Sequence, residues 1–191
     1  MNFDDIANLF LNGVVLNVKS EQFRICEVEI YYCGNDHYDH YSHNADEQLE
    51  FLKIYFHKYN NGTFKSGTWK CMDFCLGNRE NNIYFGVLIR SILNLKDNTF
   101  IEGPCNCVNT ILKILGYDDI ESYMKSRNYK LVDLRNDDIY LTKGGLNKES
   151  IYVGTRIGLN KDKYPEYIDK LYRYIVFKDR IKKEKSKLIL L

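Results

Sequence analysis

Several things are scarce or missing in this chain of 191 residues, and each shortage excludes something. No apolar run comes near the roughly 20 residues that a membrane-spanning helix needs, so a membrane protein is not expected. The opening residues, MNFDDIANLF, carry two early aspartates and no basic stretch, so they do not read as a signal peptide. The expectation is an intracellular protein, in the cytoplasm or nucleoid, or in the nucleus of a eukaryote. The net charge is only +1, which excludes a global basic field. Proline is down to two residues, while Asn, Lys, Ile and Tyr are plentiful. An A·T-rich genome produces that bias by itself, so the aromatic and asparagine counts carry no functional argument.

The six cysteines lack the usual zinc-site spacing. In a reducing compartment Cys26, Cys33, Cys71, Cys75, Cys105 and Cys107 read as small buried hydrophobes with reduced thiols. A metal site of Cys71, Cys75, Cys105 and Cys107 is the minor alternative. The one clear basic run is at the end, where FKDRIKKEKSKLILL carries Lys178, Arg180, Lys182, Lys183, Lys185 and Lys187. Such a run commonly marks a solvated end.

No internal repeat and no long linker divides the chain, which is long enough for one domain with a full core. The expected layout is a single domain over residues 1–180 and a basic tail over 181–191. Helical spacing of Ile6, Leu9 and Phe10 predicts a short helix over 4–12, stopped at Asn12-Gly13. VVLNVKS and FRICEVEIYY read as strands. ADEQLEFLKIYFHKYN reads as a helix with Leu49, Leu52, Ile54 and Tyr55 inward. TWKCMDFCLG and NIYFGVLIRSIL read as a hairpin joined by the polar turn NRENN. CNCVNTILKILG follows Gly103-Pro104 as a helix closed by Gly116, and DIESYMKSRN is a further helix. KLVDLRNDDIYLTKGG holds strand-like pieces, and ESIYVGTRIGLN and KLYRYIVFKD are late strands. Helices and strands mix without a steady strand–helix–strand rhythm, which predicts an α+β fold with a mostly antiparallel sheet.

Chemistry concentrates between Cys26 and His43, in CEVEIYYCGNDHYDHYSH. Alternation puts Cys26, Val28 and Ile30 on one face of a strand and Glu27, Glu29 and Tyr31 on the other. A half-exposed strand explains that pattern without function. The loop that follows holds His37, His40 and His43, and loops at strand ends are where site residues gather. The spacing of the three histidines defines no metal geometry. A carboxylate near an imidazole and a phenol suits general-base work on water, with an aromatic face for a planar substrate.

The segment E-V-E-I-Y, followed by His40, resembles the alkyladenine (3-methyladenine) DNA glycosylase family, whose strand reads roughly E-T-E-A-Y. The resemblance extends, in order, to IANLFLNGVVLNV, FGVLIRSIL, EGPCNCVNTILKIL, and the late pair GTRIGLN and KLYRYIVF. It implies a curved, mostly antiparallel sheet with flanking helices, like that of formyltransferase C-terminal domains. It implies excision of alkylated or deaminated purines from double-stranded DNA by base flipping, by a monomer that needs no cofactor and no metal. Glu29 then matches the general base on water and Arg90 the arginine that holds carboxylate and water. Tyr31 and His40 match the groups against the extruded base, Glu27 a supporting carboxylate, and Val176 a backbone carbonyl at the water. Trp69, Phe74, Arg79 and Arg156 are the candidate DNA contacts.

The chain also departs from the family. The segment between His43 and the hairpin is longer and lacks the threonine-x-arginine-asparagine motif. Met72 and Cys75 stand where the family's hairpin carries tyrosines. An asparagine that screens out guanine in some members falls at Asn81 or Asn82. A nucleic-acid binder on the same fold and a hydrolase of free purine nucleosides are therefore the alternative readings.

Overall fold

The computed structural model describes residues 2–35, 37–160 and 162–191. Asn2 caps the first helix, α1 (Phe3–Asn8), its side-chain oxygen accepting from the Asp4 amide at 3.0 Å. A wider helical turn, Leu9–Gly13, leads into β1 (Val14–Val18). A tight turn at Lys19-Ser20 then starts the longest strand, β2 (Glu21–Gly34). The rest of the order is β3 (His37–Tyr38), β4 (Phe51–Phe56), β5 (Met72–Leu76), β6 (Tyr84–Asn94), β7 (Phe100–Glu102), α2 (Pro104–Leu115), α3 (Ile120–Ser126), β8 (Ile139–Lys143), β9 (Tyr152–Gly154), α4 (Pro165–Ile168), β10 (Arg173–Ile175) and β11 (Ile189–Leu190).

Among the described residues all eleven strands belong to one sheet, and every pairing in it is antiparallel. Its main path runs β11-β9-β10-β2-β6-β5-β4, with β1 and β8 beside one end of β2. This is a single-domain α+β fold with an open sheet, as the sequence pattern predicts.

Alternation along the central strands separates two faces. Val28, Ile30, Ile54, Phe56, Met72, Phe74, Phe85, Val87 and Ile89 are all buried and form the apolar face. Helices cover it: Phe3 of α1 packs against Phe85 and Tyr123 of α3 against Phe56. The opposite face carries Glu27, Glu29, Tyr31, Asp73, Tyr55 and Leu88. A bulge sets the geometry there. Glu27 pairs with Ser91 and Val28 with Ile89, so Arg90 is an extra residue on β6 and its side chain turns towards the glutamates.

Helix α2 starts at Pro104 and stops at Gly116, whose φ of 88° is left-handed. It buries Cys107, Val108, Ile111, Leu112 and Leu115, the stripe that its 3.6-residue period lays on one side. Among the described residues no helix is long and apolar enough to cross a membrane.

Two sequence expectations change. The segment 45–60 is not a helix but a short 3-10 turn, Asp46–Leu49, followed by strand β4. Leu52 takes a left-handed φ of 55° at a bulge against β5, and no helix passes through such a residue. Pairing with β5 outweighs the local apolar spacing. Residues 181–191 are not a tail outside the domain. Ile181 and Leu188 are buried, Ile189 and Leu190 pair with β9, and the Arg173 guanidinium donates to the Lys183 carbonyl at 3.0 Å.

Candidate functional site

The polar face of the sheet holds a buried charge network. Glu27 accepts from Arg173 Nε at 2.7 Å, from Arg90 Nε at 3.1 Å and from the Ser91 hydroxyl at 2.6 Å. Glu29, fully buried, faces Arg90 Nη1 at 3.3 Å. Its Oε1 also accepts from the Ile157 amide at 2.7 Å, and its Oε2 accepts from the Tyr31 hydroxyl at 2.9 Å. Burial opposes the Arg90 charge, but Glu29 and Glu27 outweigh it and raise its pKa. Burial first, then Glu29, hold the Tyr31 phenol well above its ordinary value, so it stays a proton donor.

Beyond Tyr31 the face opens into a cavity of about 450 Å³. Tyr31, Tyr41, Tyr164 and His40 supply its aromatic walls, and Lys163 lines it as well. His40 stacks on Tyr164, with ring centroids 4.8 Å apart. A further wall is polar: Gln48, Asp73, His57 and His43. His57 Nε2 lies 2.7 Å from Asp73 Oδ1, and Gln48 Nε2 donates to Asp73 Oδ2 at 2.9 Å. The Gln48 oxygen accepts from the Ala45 amide at 3.1 Å, which fixes which way the amide points. Gly86 makes room for this group, because a Cβ there would meet Asp73 Oδ2 at 2.4 Å and Gln48 Nε2 at 2.6 Å.

The sequence candidates fall into three sets. Glu27, Glu29, Arg90 and Tyr31 come together in one network of hydrogen bonds and ion pairs, and Tyr31 and His40 line one cavity. Val176 is buried in the core, its amide bonded to the Cys26 carbonyl, and it does not line the cavity. Trp69 and Arg79 are exposed, Trp69 at 70%, with Arg79 paired to Glu50.

Two of the expected DNA contacts are corrected. Phe74 is wholly buried against Phe10, so it offers DNA no surface. Arg156 is also buried, and its guanidinium is spent on Asp39 through both terminal nitrogens and on the Ile30 carbonyl at 3.1 Å. It lies 4.5 Å from the Tyr31 ring centre, behind the cavity wall, and so positions Tyr31 rather than gripping phosphate.

The three loop histidines do not converge. His37 packs against Phe3 and Tyr32, His40 on Tyr164 and His43 on His57. Among the described residues no group of three or more His, Cys, Asp or Glu is arranged to hold a metal ion. Sequence reading missed Gln48, His57 and Asp73. The signal for His57 was the alternation of Ile54 and Phe56 against Tyr55 and His57, which the helix reading hid.

Fold and site define a one-domain α+β protein with a carboxylate–arginine network behind an aromatic cavity. No family model matches the chain. It is 38% identical over 199 residues to a protein named Uncharacterized protein L759, from Acanthamoeba polyphaga mimivirus, an alignment that covers 97% of this chain and 91% of the viral protein. The chain belongs to the same family as that viral protein.

Proposed function

We propose that the protein is a DNA glycosylase-like hydrolase that removes a damaged purine from DNA. One observation carries the reading: Tyr31 and His40 line the same cavity, and Tyr31 is bonded to a Glu29 that is paired with Arg90. The cavity volume, about 450 Å³, falls within the range of roughly 300–1,000 Å³ usual for small-molecule sites. Its tyrosine and histidine rings suit stacking on a flipped base.

Breaking a purine glycosidic bond builds positive charge on the sugar. A nearby carboxylate stabilises that charge and takes a proton from the attacking water. A carboxylate has about four lone-pair positions. Ile157 and Tyr31 donate to Glu29 and Arg90 Nη1 stands 3.3 Å from Oε1, so a lone-pair position remains on Oε2 beside the Tyr31 hydroxyl for a water. Arg90, itself tied to Glu27, aims Glu29.

A specific observation favours hydrolysis of free purine nucleosides as the second reading. Met72, Phe74 and Cys75 are all buried, so β5 presents none of the exposed aromatics that would wedge into a duplex.

Single-turnover release from duplexes carrying hypoxanthine, ethenoadenine or 3-methyladenine tests both readings. Release by the wild type, with a loss of about 10²-fold or more in Glu29→Gln, is the expected result. DNA binding with no release from any of the three would sink the enzyme on DNA. Release from free inosine alone would establish the second reading.

A further inference from the structure

The reading above leaves one reactive pair on the cavity wall unused. The pair is His57, the residue just after β4, and Asp73 of the neighbouring β5. Both are nearly buried, at 8% and 2% side-chain exposure, and both line the cavity. Asp73 accepts from Gln48 on one oxygen, so His57 Nε2 donates to the other. That bond fixes the ring and leaves Nδ1, which has no hydrogen bond among the described residues, as the nitrogen open to a ligand. The contact is short, 2.7 Å, and holds the ring edge-on to the carboxylate oxygen with Nδ1 on the far side. The other titratable groups at this wall are His43, with its ring centroid 4.3 Å from that of His57, and Tyr55, stacked at 5.1 Å.

We propose that His57, positioned by Asp73, is the general acid of this cavity, delivering a proton from Nδ1 to a ring nitrogen of the departing purine. The inference rests on the glycosylase reading and adds the group which that reading lacks. A neutral purine leaves poorly as an anion. Protonated by His57, it departs with the electron pair of the broken C1′–N bond as a neutral base. The sugar cation takes up water, whose proton passes to Glu29. His57 has then lost one proton and Glu29 gained one, and solvent restores both. The requirement depends on the lesion. Hypoxanthine is neutral and needs the proton; 3-methyladenine already carries a positive charge and does not.

The test is single-turnover excision of both lesions by wild type, His57→Gln and Asp73→Asn, with thermal unfolding as the check on folding. Wild type is expected to release both. His57→Gln should slow hypoxanthine release by about 10²–10⁴-fold while 3-methyladenine release changes by less than about tenfold. Asp73→Asn, which keeps the size of the side chain, decides the matter with the same selectivity if the histidine variant does not fold. An equal loss on both lesions in a folded variant, or no loss on either, overturns the role of His57 and leaves the glycosylase standing. So does a wild type that releases 3-methyladenine alone. A wild type that releases neither of these, nor ethenoadenine, ends both the glycosylase and the role of His57.

Discussion

Glu29 and Asp73 stand opposite the same residue, Leu88, from the two strands that flank β6. Two strand spacings, about 10 Å, separate their backbones. Residues in register share a face, so both carboxylates point to the polar side. Each is committed to a basic partner: Glu29 to Arg90 and Asp73 to His57. Tyr55 extends the row past Asp73, and Arg173 extends it past Glu29.

The two glutamates of the network differ in what they hold together. Glu27 serves two buried arginines, whereas Arg90 keeps Glu27 if Glu29 is neutralised. Breaking a buried ion pair costs about 3–5 kcal/mol. Glu27→Gln should lose an amount in that range, and Glu29→Gln clearly less. Urea unfolding of the two variants checks the order, and a lower midpoint for Glu29→Gln would contradict it.

Gly77 and Gly86 should respond unequally to alanine. A Cβ on Gly77 would sit 1.9 Å from the Gln48 carbonyl oxygen and 2.7 Å from that of Ile83, both backbone. At Gly86 the clash is with side-chain ends, which can shift. Gly86→Ala should cost about 1–3 kcal/mol and disturb the cavity wall. Gly77→Ala should cost more than about 4 kcal/mol. Thermal melts rank the pair.

His43 should titrate low. Burial of its ring among neighbours, then the His57 charge, pull its pKa down to about 4. The unfolded chain, with an ordinary histidine near 6.5, binds the proton more readily. Stability contributed by neutral His43 is therefore complete above about pH 6.5 and declines as pH falls towards 4. Part of the side chain meets solvent, so screening reduces the energy involved. An NMR titration resolving His43 reads the midpoint directly. His57→Gln should raise it.

Thiol reactivity should single out Cys105. Cys26, Cys33, Cys75 and Cys107 are buried, and burial pushes Cys71 up to about 12. Cys105 is partly open, near the start of α2. Brief alkylation of the native protein at pH 8, followed by peptide mass mapping, should modify Cys105 first and leave the buried four intact.

Much of this architecture was legible because local rules decide it. Gly-Pro and Gly116 bracket α2, and the alternation from Cys26 to Tyr31 displays both faces of β2. Residues 45–60 went astray because Leu49, Leu52, Ile54 and Tyr55 satisfy a helical stripe about as well as a strand with one bulge. Only the partner strand decides between them. Arg156 went astray for a different reason. Its charge is cancelled by Asp39, 117 positions away, and no local pattern announces such a pair. Gln48 and Asp73 were silent for the same cause: each acquires its role from the other and from His57.

Arg173 reaches Glu27 across 146 positions of chain, and Arg90 reaches it across 63. Closing loops of that size costs entropy before any contact compensates for it. Until β10 docks, Glu27 has lost one of its two cations, and the middle of β2 cannot be dehydrated cheaply. The charged centre thus ties a strand from near the end of the chain to the middle of the sheet. Without residues 173–175 in place, Glu27 on this face keeps only Arg90 as a buried ionic partner.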